Sequence, residues 1–111
     1  MMAFDRATEE LLEQWGIWVV QGSGVSACQA PGERPLAAIS DDEALVVDGL
    51  VGRLRRRYPE AGEVVIRYYT SGASLMDVAR RMRVGETKAR QLINAGIAWI
   101  DGALEPKRIA A

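Results

Sequence analysis

Residues 74–94, S-L-M-D-V-A-R-R-M-R-V-G-E-T-K-A-R-Q-L-I-N, constrain the fold of this chain more than any other stretch. Leu75, Val78, Ala79 and Met82 fall at i, i+3, i+4 and i+7, one stripe of a short helix. A second stripe follows at Ala89, Leu92 and Ile93, and Val84 between them is placed to plug a corner. Ala79 is small enough for two crossing helices to approach closely. Two amphipathic rods meeting at a corner form a helix-turn-helix. The spacing then leaves Glu86, Thr87, Arg90, Gln91 and Asn94 on the outside of the second rod. A helix so decorated fits the major groove of a duplex, where side chains reach base edges.

The rest of the chain is also helical in pattern. Asp5 is a candidate N-cap for a helix to about Val20, with Glu9 and Glu10 in the first turns where the helix dipole favours acids. Leu11, Leu12, Trp15 and Trp18 or Val19 are its apolar positions, and Gly16 predicts an end or a kink. Residues 22–39 hold three Gly, two Pro and two Ser without periodicity, which predicts a long irregular loop. Ser40-Asp41-Asp42-Glu43 is a capping box opening a helix with Val47, Leu50, Val51, Leu54 and Tyr58 on its buried stripe. Pro59 suits the first turn of the next helix, whose apolar positions are Val64, Val65, Tyr68 and Tyr69 and whose stop is Gly72. Ser74 caps the first rod of the motif, and the second runs from Glu86 to about Leu104, with Pro106 beyond its end. No stretch alternates with the strand period. The reading is therefore all-α: residues 1–39 as an N-terminal amphipathic helix and long loop, and residues 40–111 as a small helical bundle containing the helix-turn-helix (74–104).

A length of 111 residues leaves room for one domain. No run reaches the ~20 apolar residues of a membrane span, and no secretion signal is evident at the start, so the expected setting is the cytosol, with no membrane partner. A single cysteine, Cys28, and no histidine exclude an internal disulfide, a four-ligand zinc site and histidine acid–base catalysis. No cofactor, metal or enzymatic activity is expected. The net charge of −1 hides an asymmetry. Residues 1–52 carry two basic and nine acidic side chains, giving −7, while residues 53–111 carry twelve basic and six acidic ones, giving +6. The motif lies in the basic half, as phosphate binding requires.

Three groups carry the expected chemistry. On the second rod, Arg90 can fork onto guanine, Gln91 and Asn94 onto adenine, and Thr87 onto a thymine methyl or a phosphate, beside Glu86 and Lys88. An ordinary solvated helix with a Glu86–Arg90 pair is the plain alternative. Arg80, Arg81 and Arg83 precede that rod, where a helix crossing the backbone meets phosphates. Arg55, Arg56 and Arg57 crowd a helix end, where they contact phosphate, contact a protein, or stabilise the helix. Trp15 and Trp18 are either core or an anchoring surface for a protein partner.

Two resemblances follow from these blocks. Residues 58–99 resemble the helix-turn-helix domain with which sigma factors read the upstream promoter element, matching L-x-x-V-A-x-x-M-x-V-x-x-x-x-A-R-Q-L from Leu75 to Leu92. The departures are Arg83, where a turn glycine is usual, and Gly85, where a capping Ser or Thr is usual; Arg83 implies a different turn. Nearly the whole chain is similar to the short phage Q-type transcription antiterminators, through L-L-E-Q-W-G-I-W, I-S-D-D-E-A-L at 39–45, V-I-R-Y-Y at 65–69 and N-A-G-I-A-W-I-D-G-A-L at 94–104. That resemblance implies binding to a double-stranded DNA element near a late promoter. It also implies loading onto a paused RNA polymerase holoenzyme that still holds sigma, and suppression of pausing and termination. Relatives with a zinc-binding insertion exist; this chain has no ligands for one. A conventional promoter regulator acting only from its DNA site is the alternative, and a protein adaptor that never touches DNA is a third.

Overall fold

The computed structural model describes Phe4, residues 6–22 and residues 37–110, with residues 109 and 110 described by backbone alone. The Asp5 cap, Cys28 and most of the expected loop (23–36) lie outside the described residues. Among the described residues there are five α-helices and no strand: α1 Thr8–Gly22, α2 Asp41–Arg57, α3 Pro59–Ser71, α4 Leu75–Met82 and α5 Glu86–Ala110. The all-α expectation holds.

Local chemistry sets the helix ends. The Ser40 hydroxyl accepts from the Glu43 N–H at 3.1 Å, and a Glu43 carboxylate oxygen accepts from the Ser40 N–H at 3.1 Å, so the capping box is complete. Ser74 accepts from the Asp77 N–H at 3.1 Å and opens α4 in the same way. Pro59 begins α3, where a missing N–H costs nothing, and Gly72 closes it in the left-handed region at φ 72°.

The core draws on every helix. Leu11, Leu12 and Trp15 of α1 join Val47, Leu50, Val51 and Leu54 of α2, Val64 and Val65 of α3, Val78 of α4, and Ile93, Ile100 and Leu104 of α5. Each such side chain contributes about 1.5–3 kcal/mol when fully buried. α3 is central, packing against α1, α2, α4 and α5. Tyr58, placed on the α2 stripe by sequence, is instead half exposed because the helix ends just before it. Tyr68 and Tyr69 are half-buried and stack edge-to-face at 5.0 Å. Burial, followed by the nearby Glu9 carboxylate, pushes the Tyr69 phenol up to about 12.

Two sequence expectations are overturned. α1 does not end at Gly16; it runs on to Gly22. Gly16 is there because α1 and α3 touch: a Cβ at this position would lie 1.9 Å from the Tyr69 carbonyl oxygen. α5 does not stop at Leu104 but passes through Pro106 to Ala110. Proline removes a helical hydrogen bond and crowds the carbonyl four residues earlier, so an outside restraint is needed. Arg108 supplies it. Its Nε donates to the Phe4 carbonyl at 2.7 Å, and its Nη2 to the Arg6 carbonyl and the Thr8 hydroxyl, both at 3.0 Å. Its Nη1 meets Asp101 Oδ1 at 2.8 Å. The last turn of α5 is thereby fastened to the segment preceding α1.

Candidate nucleic-acid interface

The site is built on α4, the three residues after it, and the first three turns of α5. Ala79 and Ala89 are 3 % and 0 % exposed, so the two helices meet through small side chains. The corner between them has a defined hydrogen-bond pattern. The Val84 N–H donates to the Ala79 carbonyl at 3.0 Å and the Arg83 N–H to the Arg80 carbonyl at 3.1 Å. This is the Schellman arrangement, which demands a left-handed residue. Arg83 takes that conformation itself, at φ 59° and ψ 42°. The expected different turn is therefore not seen: Arg83 adopts the backbone that glycine would, at a steric cost of about 1–2 kcal/mol.

Glu86, Thr87, Lys88, Arg90, Gln91 and Asn94 are all exposed. At about 100° per residue, Glu86, Thr87, Arg90, Gln91 and Asn94 share an arc of about 140°, with Lys88 past its edge. Ala89, Ile93 and Ile100 face the core, centred about 110° round the helix from the middle of that arc. The Arg90 guanidinium rests on Glu86 at 2.8 Å, an exposed i,i+4 pair. Such pairs contribute roughly 0.3–0.5 kcal/mol, so Arg90 is easily released to a stronger partner. Arg80 lies 3.6 Å from Asp77. Arg81 and Arg83 are exposed and, among the described residues, carry no ion pair.

The remaining candidates are placed less uniformly. Trp15 is 3 % exposed, with its indole N–H donated to Asp48 at 3.2 Å, so it belongs to the core and leaves the set of surface anchors. Trp18 is half-buried and donates to Asp41 at 2.9 Å. Arg55 shares Glu63 with Arg67, while Arg56 and Arg57 are exposed and unpaired among the described residues. Two features were missed from sequence. One is the Thr8–Asp101–Arg108 cluster, in which hydrogen bonds from Thr8 and then Arg108 hold the Asp101 carboxyl below its ordinary range. The other is an apolar groove between α5 and the α2–α3 corner, lined by Trp99 and Tyr58. Neither has a local pattern that could have announced it. Among the described residues no group of metal-ligating side chains occurs, and no helix is long and apolar enough to cross a membrane.

The model of the phage antitermination protein Q family matches residues 5–110, a span that includes every element described above. The chain belongs to this family. Members act as regulatory factors, so the chain is a phage-type transcription antiterminator. A probable antitermination protein Q from Acyrthosiphon pisum secondary endosymbiont phage 1 is 31 % identical over 112 residues, covering 89 % of this chain and 74 % of the relative. The antitermination protein Q of Escherichia phage 933W is 22 % identical over 109 residues, covering 89 % and 76 %. No solved structure matches the chain.

Proposed function

We propose that this antiterminator binds a specific double-stranded DNA element near a late promoter through the outward face of α5. It then loads onto promoter-proximally paused RNA polymerase that still holds sigma, and makes that polymerase read through pauses and terminators. The observation that carries the DNA step is the single face presenting Arg90, Gln91 and Asn94 to solvent, on a helix whose adjoining face, with Ala89, Ile93 and Ile100, is locked into the core. The α4–turn–α5 unit acts as the helix-turn-helix. Arg80, Arg81 and Arg83 flank that face as phosphate contacts, which fix register without reading sequence. Two acids, Asp77 and Glu86, temper the local charge, so affinity depends on base contacts as well as on phosphate attraction.

The role in antitermination requires the DNA-bound protein to meet polymerase as well, and a second copy on an adjacent half-site is compatible with one groove per module. The setting is the bacterial cytoplasm at the nucleoid. Selection of a duplex site from random sequence, followed by titration with Arg90→Ala, tests the DNA step. The substitution should cost about 1–3 kcal/mol of site affinity and relax preference at one base pair. Equal affinity of wild type and variant for every selected site would overturn the reading.

A further inference from the structure

Beside the proposed reading face lies a surface that DNA binding leaves unused. The groove between α5 and the α2–α3 corner has a volume of about 770 Å³. Its walls are Leu54, Pro59, Leu92, Ala95 and Trp99, with Tyr58 at the mouth. A second depression opens next to it and shares Arg57, Tyr58 and Trp99 while adding Arg53 and Arg56. The volume lies within the roughly 300–1,000 Å³ of ligand-binding clefts, but this one is open along its length, as grooves that take a peptide segment are.

Several side chains around it have no partner among the described residues. Tyr58 is 50 % exposed. The indole N–H groups of Trp15 and Trp18 are bonded to Asp48 and Asp41, whereas that of Trp99 has no protein partner among the described residues. Arg53, Arg56 and Arg57 are exposed and unpaired among the described residues, although Arg55 and Arg67 close by both find Glu63. Aromatic and arginine side chains at an apolar groove are the residue types that dominate binding hot spots. Three guanidinium groups and one indole donor thus lack acceptors among the described residues, and Glu60 is the one acid among the described residues that line the two depressions.

The position is also suitable. At about 100° per residue, Leu92, Ala95 and Trp99 centre about 140° around α5 from the middle of the Glu86–Asn94 face. A duplex on that face leaves the groove open.

We propose that this groove docks an acidic, amphipathic segment of a protein in the transcription complex, with one or two large apolar side chains seated between Trp99 and Pro59 and carboxylates on Arg53, Arg56 and Arg57. A protein segment fits better than single-stranded nucleic acid. The floor, formed by Leu54, Pro59, Leu92, Ala95 and Trp99, is apolar rather than a track of polar donors along which a phosphate backbone would run. The proposal rests on the antitermination reading for the identity of the complex, and on the groove alone for the chemistry of the segment.

The test uses the full chain and purified bacterial RNA polymerase in a promoter-proximal paused complex on a duplex carrying the selected site. A photocross-linking amino acid replaces Trp99. In parallel, Arg53, Arg56 and Arg57 are changed together to Glu, surface substitutions whose folding is checked by circular dichroism. The cross-link should fall on a polymerase or sigma peptide carrying Asp or Glu beside apolar residues. The triple variant should bind polymerase at least about tenfold more weakly, the loss of about 1.4 kcal/mol that marks an energetically important contact. Although the three substitutions shift the net charge by −6, its DNA affinity should fall less than that of Arg90→Ala. Wild type that binds polymerase while the triple variant binds equally well would overturn this inference and leave the functional reading standing. Cross-linking to RNA, to a second copy or to a basic peptide would overturn it as well. Failure of the wild-type chain to bind polymerase at all would overturn the functional reading, and this inference with it.

Discussion

Replacing Arg83 with Gly should make the protein more stable and a weaker DNA binder at the same time. Arg83 is the one described non-glycine residue with positive φ, at 59°, and the Schellman bonds from Arg83 and Val84 hold it there. An L-residue in this region is disfavoured by about 1–2 kcal/mol. Glycine removes that penalty but gains freedom in the unfolded chain, which returns about 0.4–1 kcal/mol. The difference leaves a net stabilisation of about 0.5–1 kcal/mol, or roughly 2–5 °C in Tm for a domain of this size. Arg83 is exposed and makes no ion pair among the described residues, so little stability is lost with its side chain. In the DNA-bound state one phosphate contact disappears, and the slope of log K against log salt should fall by about 0.9. Thermal melts followed by circular dichroism, and binding titrations at several salt concentrations, measure the two effects separately. Arg83→Ala is the control: it keeps the strained Cβ but loses the charge, so its salt slope should match the glycine variant without the gain in Tm. A glycine variant less stable than wild type would refute the assignment of the turn. An unchanged salt slope would refute the phosphate role.

The remaining predictions concern the supports of the fold. Gly16→Ala gains about 1 kcal/mol of helix propensity, but its Cβ meets the Tyr69 carbonyl at 1.9 Å, a backbone atom that cannot swing away. Overpacking of this kind costs about 1–3 kcal/mol, and a urea titration should show net destabilisation; a more stable variant would contradict the α1–α3 contact. Asp101 has its pKa lowered by Thr8 and Arg108, so its contribution is present above the ordinary carboxylate pKa and is lost as pH falls through the folded value. Asp101→Asn should therefore melt below wild type at pH 7, and the gap should close below about pH 4. A gap independent of pH would show that the charge plays no part.

Much of the fold was readable because its signals are local. The Ser40–Glu43 box, the Ser74 cap, Pro59 and Gly72 each act within one helical turn, and all four terminate helices where the residues say they should. The outward polar face of α5 was readable for the same reason: period and spacing fix which side chains share a face. The misreadings of Gly16, Pro106 and Trp15 depend on distant partners. Gly16 looks like a breaker until Tyr69 is known to lie against it. Pro106 looks like a stop until Arg108 is seen to reach residues about a hundred positions away. Trp15 and Trp18 are equivalent as letters, and only the packing of α1 against the bundle buries one and leaves the other half out. The Trp99 groove needs three helices at once, so no single stretch encodes it.

Terminator read-through by purified polymerase, on one template with its selected DNA element intact, tests the central claim most directly. Wild-type protein should increase full-length transcript past a downstream terminator. The Arg90→Ala protein should lose that activity at concentrations that occupy little of the element, and so should wild type on a template with the element scrambled. Read-through that persists in both controls, or a wild-type protein that alters only initiation, would contradict the account.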